Sequence, residues 1–288
     1  MAPEAASAIL FPGQGVGDES SRELVTEHRP ELLELATELA GDDPFARMAD
    51  GTAFAQPAVY CASIAGFDRL GRPSAEFFAG HSLGEVGALA AAGAIDDEDG
   101  VRIVVARGRA MADAARRGEP GAMLAVASDR AGAERLASAY GLVVANENSP
   151  EQCVLSGSMS AIDRAQEAAR QSGLRAKRLA LAGAFHTDAM ASGVIPFRRA
   201  LDEIQFRRAD SPVISSVTGQ PFGEDVRDAL AASLVSPIRW TAVVRRLQRL
   251  GVSRYLDVGP GKVLAGLVRR TIEGAQVETL ASRESAVA

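Results

Sequence analysis

Short apolar segments alternate with longer amphipathic segments along the chain, and this pattern predicts alternating strands and helices. Ala8-Ile9-Leu10-Phe11 and Phe77-Phe78-Ala79 are continuous apolar runs that predict short buried strands. In the segment from Asp96 to Arg117, apolar residues recur on one face at about 100° per residue, which predicts a long helix. The pattern as a whole indicates an α/β fold.

The pattern of apolar and polar residues changes between residues 122 and 183. The apolar pattern there predicts the order strand, helix, strand, strand, helix, strand, which is the ferredoxin-like motif. We therefore expect a small ferredoxin-like subdomain over 122–183, inserted into a large α/β subdomain made of 1–121 and 184–288. No low-complexity linker flanks the insert, so both connections should be short.

Two predictions concern where elements begin and end. Pro57 is expected to open a helix over 58–70, because proline suits the first turn of a helix. The segment from Glu278 to Ala288 is expected to form a final short strand and a frayed tail.

Composition excludes several classes of protein. The 288 residues allow one large domain or two modest ones, and 47% apolar with 24% charged residues is ordinary for a globular protein. A net charge of −6 does not fit a nucleic-acid surface, which needs a basic stripe. Without a signal peptide or an apolar run of about 18 residues, we expect a cytoplasmic protein that does not bind a membrane. Cys61 and Cys153 are expected to be buried free thiols, and no metal site is expected.

The sequence Gly80-His81-Ser82-Leu83-Gly84 has the pattern G-x-S-x-G between a predicted strand and a predicted helix. A nucleophilic serine must stand clear of the chain on a tight turn, so the residues two before and two after it must be small. At a helix N-terminus, free N–H groups favour a developing oxyanion. The alternative is a glycine-containing loop with an exposed serine.

Three histidines are candidates for a general base, namely His28, His81 and His186. His28 lies among charged residues beside Pro30, and we interpret it as a solvated loop residue. His186 follows a predicted strand and precedes a helix that begins near Thr187, which is a position at the edge of a cleft. The alternative for His186 is a core histidine bonded to the backbone.

Three further residues are candidates for the same cleft. Gln14 lies in a glycine-rich turn after the first strand, where its amide would suit an oxyanion donor, although a simple turn is the alternative. Gln56 lies just outside the first turn of the helix predicted after Pro57. Arg107 flanks the apolar face of the long helix, from where it either snorkels to water or reaches into the cleft to hold an anion.

Nine segments, in this order along nearly the whole chain, resemble the malonyl-CoA:acyl carrier protein transacylases of fatty acid synthesis and the acyltransferase domains of polyketide synthases. They are Phe11-Pro12-Gly13-Gln14-Gly15, Ala55-Gln56-Pro57-Ala58, Gly80 to Glu85, Arg107-Gly108-Arg109-Ala110-Met111, Asn146-Glu147-Asn148-Ser149-Pro150, Gly183-Ala184-Phe185-His186, Val213 to Gly219, Ser236-Pro237-Ile238-Arg239-Trp240 and Asp257-Val258-Gly259-Pro260-Gly261. The resemblance implies an α/β-hydrolase-like large subdomain around the inserted ferredoxin-like one.

The resemblance also implies a role for each matching residue. Ser82 would be the nucleophile, His186 its base, and the amides of Gln14 and Leu83 the oxyanion hole. The backbone carbonyl near Ser233 would orient the base in place of a carboxylate. The substrate-binding residues would be Arg107, which pairs with a malonyl carboxylate, together with Gln56, His81, Phe185 and Met111. An aromatic residue at the position of Phe185 goes with malonyl in this family, whereas serine goes with methylmalonyl.

The chain departs from the family pattern at four places. Ala112 stands where the family has Gln, and Thr187-Asp188 follow the base where a small polar residue and Pro are usual. Ser216 replaces the usual Asn, and Ser233 the usual Gln. A backbone carbonyl survives a change of side chain, so Ser233 leaves the proposed mechanism intact, whereas Asp188 adds a carboxylate near the base.

The function implied is transfer of a malonyl group from coenzyme A to the phosphopantetheine thiol of an acyl carrier protein, in fatty acid or polyketide synthesis. The expected partners are malonyl-CoA or another acyl-CoA and a carrier protein, and the expected state is a monomer that needs no metal or redox cofactor and binds no nucleic acid. The alternatives within the fold are transfer of a different acyl unit and hydrolysis of acyl carrier proteins. A serine hydrolase of the α/β-hydrolase type would need a histidine near the chain end, and none follows His186.

Overall fold

The computed structural model describes residues 6–17 and 19–287, which contain two β-sheets and the helices packed around them. The nine strands in these residues are β1 (Ala6–Phe11), β2 (Phe77–Gly80), β3 (Gly121–Val126), β4 (Val143–Ser149), β5 (Gln152–Ser158), β6 (Ala176–Arg178), β7 (Val213–Ile214), β8 (Val252–Asp257) and β9 (Gln276–Thr279). One sheet has the order β7-β2-β1-β8-β9 and the other has the order β4-β5-β3-β6.

Twelve α-helices connect and cover these strands within the same described residues. They are α1 (Glu19–His28), α2 (Pro30–Ala40), α3 (Thr52–Arg69), α4 (Gly84–Ala91), α5 (Asp97–Arg117), α6 (Arg130–Tyr140), α7 (Met159–Gln171), α8 (Ala191–Asp202), α9 (Val226–Ala232), α10 (Trp240–Arg249), α11 (Val263–Thr271) and α12 (Leu280–Val287). None of the helices in this part of the chain is both long and apolar enough to span a membrane.

The five-stranded sheet is parallel throughout, and its inner strands β1 and β2 are largely buried on both faces. Along β1, Ile9 and Phe11 point into one hydrophobic cluster while Ala8 and Leu10 point into another on the opposite face. This alternation follows from the two-residue period of a strand, and it explains why β1 is a continuous apolar run. The carboxyl ends of β1 and β2 lie side by side, with Phe11 paired to Gly80. The turns that follow both strands therefore meet at one edge of the sheet.

The four-stranded sheet is antiparallel and has its own hydrophobic cluster, which includes Leu124, Leu155 and Ile162. Its elements follow the chain in the order β3-α6-β4-β5-α7-β6. The predicted alternation of strands and helices over this segment is confirmed, although β6 is shorter than expected. An isolated bridge between Asn146 and Ile238 connects this sheet to the loop before α10.

Helix α5 confirms the prediction of a long helix over 96–117 to within one residue, but the predicted start of α3 is wrong. The helix begins at Thr52, so Pro57 lies inside it and not in its first turn. A proline there removes one backbone hydrogen bond. Every residue of α3 from Ala55 to Phe67 is buried, and this packing outweighs the local preference.

Two other predictions about element ends are also wrong. The segment after β9 is the helix α12 and not a frayed tail, while Ala288 lies outside the described residues. His28 is the last residue of α1 and not a loop residue. Most residues around His28 are polar, so the sequence pattern does not reveal that this helix has an apolar face. Val25 on that face is fully buried.

Candidate active site

Ser82 lies on a sharp turn between β2 and α4, with a left-handed backbone at φ 53°. A Cβ on Gly80 would lie 1.9 Å from the carbonyl carbon of Gly84, and one on Gly84 would lie 2.1 Å from the carbonyl oxygen of Phe11. Both positions therefore require glycine, as the pattern predicted. A left-handed non-glycine residue costs about 1–3 kcal/mol and persists only where its surroundings hold it, which is typical of functional sites.

His186 contacts Ser82 directly. The Ser82 Oγ and the His186 Nε2 are 2.9 Å apart, and the His186 Nδ1 lies 2.9 Å from the carbonyl oxygen of Ser233. Because a carbonyl can only accept, Nδ1 carries the proton and donates it to Ser233, which leaves Nε2 free to accept the Ser82 hydroxyl proton. The imidazole is thus oriented by a backbone carbonyl, as the resemblance implied, and among the described residues no carboxylate is hydrogen-bonded to its Nδ1.

The environment keeps His186 neutral. Burial, and after it the nearby Arg107 guanidinium, lower its pKa to about 3, against the opposing effect of the Ser233 carbonyl. At neutral pH the ring is therefore unprotonated and able to act as a base. The same shift means that stability falls as the pH drops from 6.5 towards 3, because the unfolded chain then binds a proton that the folded protein does not.

Arg107 is buried in the middle of α5, with 2% of its surface exposed. Its guanidinium donates from Nη1 to the Gln56 Oε1 at 2.9 Å and from Nη2 to the Ser82 Oγ at 3.1 Å. Burial lowers its pKa to about 10, which the carboxylate of Glu85 opposes, so the group stays cationic at neutral pH. Of the two alternatives left open by the sequence, the structure excludes snorkelling to water. Arg102, on the same helix, is exposed.

These groups open onto a cavity of about 170 Å³, room for several water molecules or a small acyl group. Eight of the ten predicted site residues line it: Gln14, His81, Ser82, Leu83, Arg107, Met111, Phe185 and His186. The other two do not line the cavity but bond residues that do: Gln56 accepts from Arg107, and the Ser233 carbonyl accepts from His186.

A chain of amide and hydroxyl groups fixes the guanidinium. The Thr52 hydroxyl donates to the Gln14 Oε1 at 2.7 Å, and the Gln56 Nε2 donates to the Thr52 Oγ1 at 2.7 Å and approaches the Met111 sulfur at 3.3 Å. The Gln56 amide is thereby oriented with its oxygen towards Arg107. Sequence reasoning missed Thr52, because it was expected to lie outside the helix.

His81 is held apart from the nucleophile. Its Nε2 lies 2.8 Å from the Asn148 Oδ1, and its ring centroid lies 5.5 Å from that of Trp240. Burial lowers its pKa, so the neutral ring donates from Nε2 to Asn148. His81 lines the cavity as expected, but it does not compete with His186 for the Ser82 proton.

Two other residues near Ser82 had no role assigned from the sequence. Glu85, in the first turn of α4, is 1% exposed, and Ser216, after β7, is fully buried. An acidic residue in the first turn of an otherwise apolar helix was the only available signal for Glu85. Nothing in the sequence indicated that the two residues meet.

The sequence profile described as the acyl transferase domain matches residues 22–285, and this chain belongs to that family. It is 37% identical over 303 residues to the polyketide biosynthesis protein ThaF of Burkholderia thailandensis, covering 98% of this chain and 26% of that protein. It is 35% identical over 286 residues to the malonyl CoA-acyl carrier protein transacylase of Bacillus subtilis, covering 91% and 89%. The chain thus spans about a quarter of the first relative and most of the second.

The crystal structure of malonyl-CoA:acyl carrier protein transacylase from Xanthomonas oryzae pv. oryzae superposes with a TM-score of 0.89 at 32% identity, covering 98% of both chains. The mixed α/β fold is therefore that of the family, and the resemblance seen in the sequence is confirmed.

Proposed function

We propose that this chain moves a malonyl group from coenzyme A to the phosphopantetheine thiol of an acyl carrier protein through an ester on Ser82. The observation that carries the proposal is the buried guanidinium of Arg107, held 3.1 Å from a serine that also contacts a neutral histidine. A nucleophile beside a fixed cation suits an acyl group that ends in a carboxylate. The similarity to malonyl CoA-acyl carrier protein transacylases supports the same conclusion.

In the first half-reaction, the His186 Nε2 accepts the Ser82 proton as the Oγ attacks the thioester carbonyl. The amides of Gln14 and Leu83, both at the cavity wall, would stabilise the oxyanion. The intermediate collapses to the seryl ester, and the coenzyme A thiolate leaves with the proton from His186. In the second half-reaction the carrier thiol gives its proton to His186 and attacks the ester, and the Ser82 oxygen recovers that proton. These steps need no metal or redox cofactor.

Substrate binding prepares the base. The Arg107 guanidinium is the second-largest cause of the lowered pKa of His186. A malonyl carboxylate bound to Arg107 would offset this cation, so the pKa of His186 would rise towards its ordinary value. The histidine then becomes a stronger base when a malonyl group is bound, which couples recognition of the carboxylate to chemistry.

The shape of the cavity supports malonyl over branched units. Phe185 is 4% exposed, precedes the base in sequence and lines the cavity, where it would take up the space that a methyl branch needs. Met111 lies on the same cavity, whereas Ala112 does not line it. Transfer of another acyl unit and hydrolysis of acyl carrier proteins remain the alternatives.

Arg107→Ala should lower malonyl transfer while keeping or raising acetyl transfer, because only malonyl needs the guanidinium. A bidentate guanidinium–carboxylate pair is a strong, charge-assisted contact, so a loss of at least about tenfold in kcat/KM for malonyl-CoA is expected. A panel of malonyl-, methylmalonyl- and acetyl-CoA measures the preference. Arg102→Ala, which removes an exposed arginine from the same helix, is the control. A wild-type preference for an uncharged chain would contradict the malonyl assignment.

The carrier protein should dock beside β6. Carrier proteins usually present an acidic helix, which calls for a basic patch on this net-acidic enzyme. Arg175 and Lys177 are exposed and precede Leu179 and Leu181, both of which line the cavity. Arg245 and Arg249 on α10 are exposed as well and form the rival patch.

Charge reversal of Arg175 and Lys177 to Glu should raise the KM for carrier protein several-fold and leave hydrolysis of malonyl-CoA unchanged, since rim charges act mainly on encounter. The matched variant reverses Arg245 and Arg249. If only the α10 variant changes the KM, the docking surface is α10.

We further infer that the two sheets mark two subdomains, a ferredoxin-like one over 122–183 and an α/β-hydrolase-like one over 1–121 and 184–288. Separate hydrophobic clusters and the strand order β4-β5-β3-β6 support this division. The cavity is lined from both, by Met123 and Val154 on one side and Ser82 and His186 on the other.

A further inference from the structure

A continuous hydrogen-bond path joins Glu85 to the backbone of the candidate nucleophile. The Glu85 Oε1 accepts from the Ser216 N–H at 2.6 Å and from the Ser216 hydroxyl at 2.9 Å. The Ser216 Oγ in turn accepts from the Ser82 N–H at 3.3 Å. The hydroxyl has one proton and two lone pairs, so it can satisfy both neighbours at once.

The Ser82 backbone needs such support because its φ of 53° is unfavourable for a residue with a side chain. The glycines on either side make the turn sterically possible, and the Gly84 N–H donates across it to the His81 carbonyl at 3.0 Å. That bond lies within the turn itself and does not hold the Ser82 N–H. The bond to Ser216 comes from a loop 134 residues away in sequence, and that loop is fixed by a carboxylate in the helix that starts immediately after the turn. The side chains of Glu85 and Ser216 are both buried, so water does not compete for these contacts.

The path also engages the backbone N–H of Ser82. The Ser82 N–H is directed at Ser216, so it is not available to an oxyanion. The oxyanion is left to other amides, for which Gln14 and Leu83, both lining the cavity, are the candidates of the proposed function.

We propose that Glu85 and Ser216 are positioning residues that hold the strained Ser82 turn in the reactive arrangement, a proposal that rests on Ser82 being the nucleophile of the proposed function. Neither residue contacts the substrate in this scheme. Their loss should therefore slow the reaction of Ser82 with any electrophile and leave substrate binding nearly unchanged.

The test compares two electrophiles. Ser216→Ala and Glu85→Ala should lower kcat for malonyl transfer by about 10²-fold, the typical cost of misplacing a reacting group by about 1 Å, with KM changed less than about twofold. The rate constant for reaction with a small fluorophosphonate should fall in parallel, because this probe needs the Ser82 oxygen but not Arg107. Glu85→Gln keeps an oxygen that accepts from Ser216 and should react with the fluorophosphonate at close to the wild-type rate.

Ser63→Ala is the matched control. It removes another buried serine hydroxyl, one that donates to the Val59 carbonyl within its own helix α3. Rate constants report on folded molecules, so partial unfolding lowers the labelled amount and not the rate. If Ser216→Ala does not fold, Ser216→Cys, whose thiol is a weaker acceptor, replaces it with the same expectation.

A fluorophosphonate rate in Ser216→Ala equal to that of Ser63→Ala would overturn the proposal. A loss of malonyl transfer with an unchanged fluorophosphonate rate would also overturn it, because the pair would then act only through Arg107. If the wild-type protein reacts with the fluorophosphonate but not with malonyl-CoA, the proposed function fails, while the fluorophosphonate comparison still decides the positioning role.

Discussion

Ser82→Ala should form no covalent malonyl adduct, and transfer to a carrier protein should fall to the background rate. The Ser82 Oγ is the only atom in the scheme that carries the acyl group between the two half-reactions. The substitution deletes one buried oxygen and keeps the Cβ, so the turn and the fold should survive. Incubation with malonyl-CoA followed by intact-protein mass spectrometry and peptide mapping measures the adduct.

The control for this experiment is the thermal stability of the variant, which should stay close to that of the wild type. A mass increase that persists in Ser82→Ala would contradict the assignment and point to another nucleophile. The two cysteines are poor substitutes, because burial raises the pKa of Cys61 to about 12 and that of Cys153 to about 11, and thiols are reactive as thiolates.

His186→Ala should reduce the rate of acyl-enzyme formation by about two to four orders of magnitude, the usual contribution of a general base. The reason is the 2.9 Å contact between its unprotonated Nε2 and the Ser82 Oγ. Rapid-quench measurement of the ester isolates this step from transfer to the carrier. A loss of less than about tenfold, below the range for a general base, would assign the proton transfer to His81 or to water.

The pH profile tests the same role independently. Activity needs neutral His186, whose pKa in the free enzyme is lowered to about 3, so kcat/KM should show no histidine limb between pH 5 and 8. In Arg107→Ala the cation that lowers this pKa is absent, so the acid limb should move to higher pH. An acid limb near pH 6.5 in the wild type would show that His186 is not held neutral in this way.

Much of the fold is decided locally and was therefore predictable from the sequence. The spacing of apolar residues differs between strands and helices, and this spacing was sufficient to predict α5 and the strand–helix order of the small sheet. The elbow was also predictable, because a Cβ at Gly80 or Gly84 would collide with the backbone beside the turn. The resemblance supplied the roles of the other site residues, which stay predictions, and eight of the ten residues it named line one cavity.

Tertiary packing decided what local patterns do not contain. The buried environment of α3 overrides Pro57, and the burial of Arg107 turns an arginine on the edge of a helix face into a cation inside a cavity. Ser82 and His186 are 104 residues apart in sequence, and Glu85 and Ser216 are 131 apart. Glu85 and Ser216 meet because the parallel strands β2 and β7 bring the segments that follow them to the same edge of the sheet. His186 reaches Ser82 from the segment that follows the antiparallel sheet, so packing of the two sheets decides that contact. Burial at this place sets the charge states on which the chemistry depends.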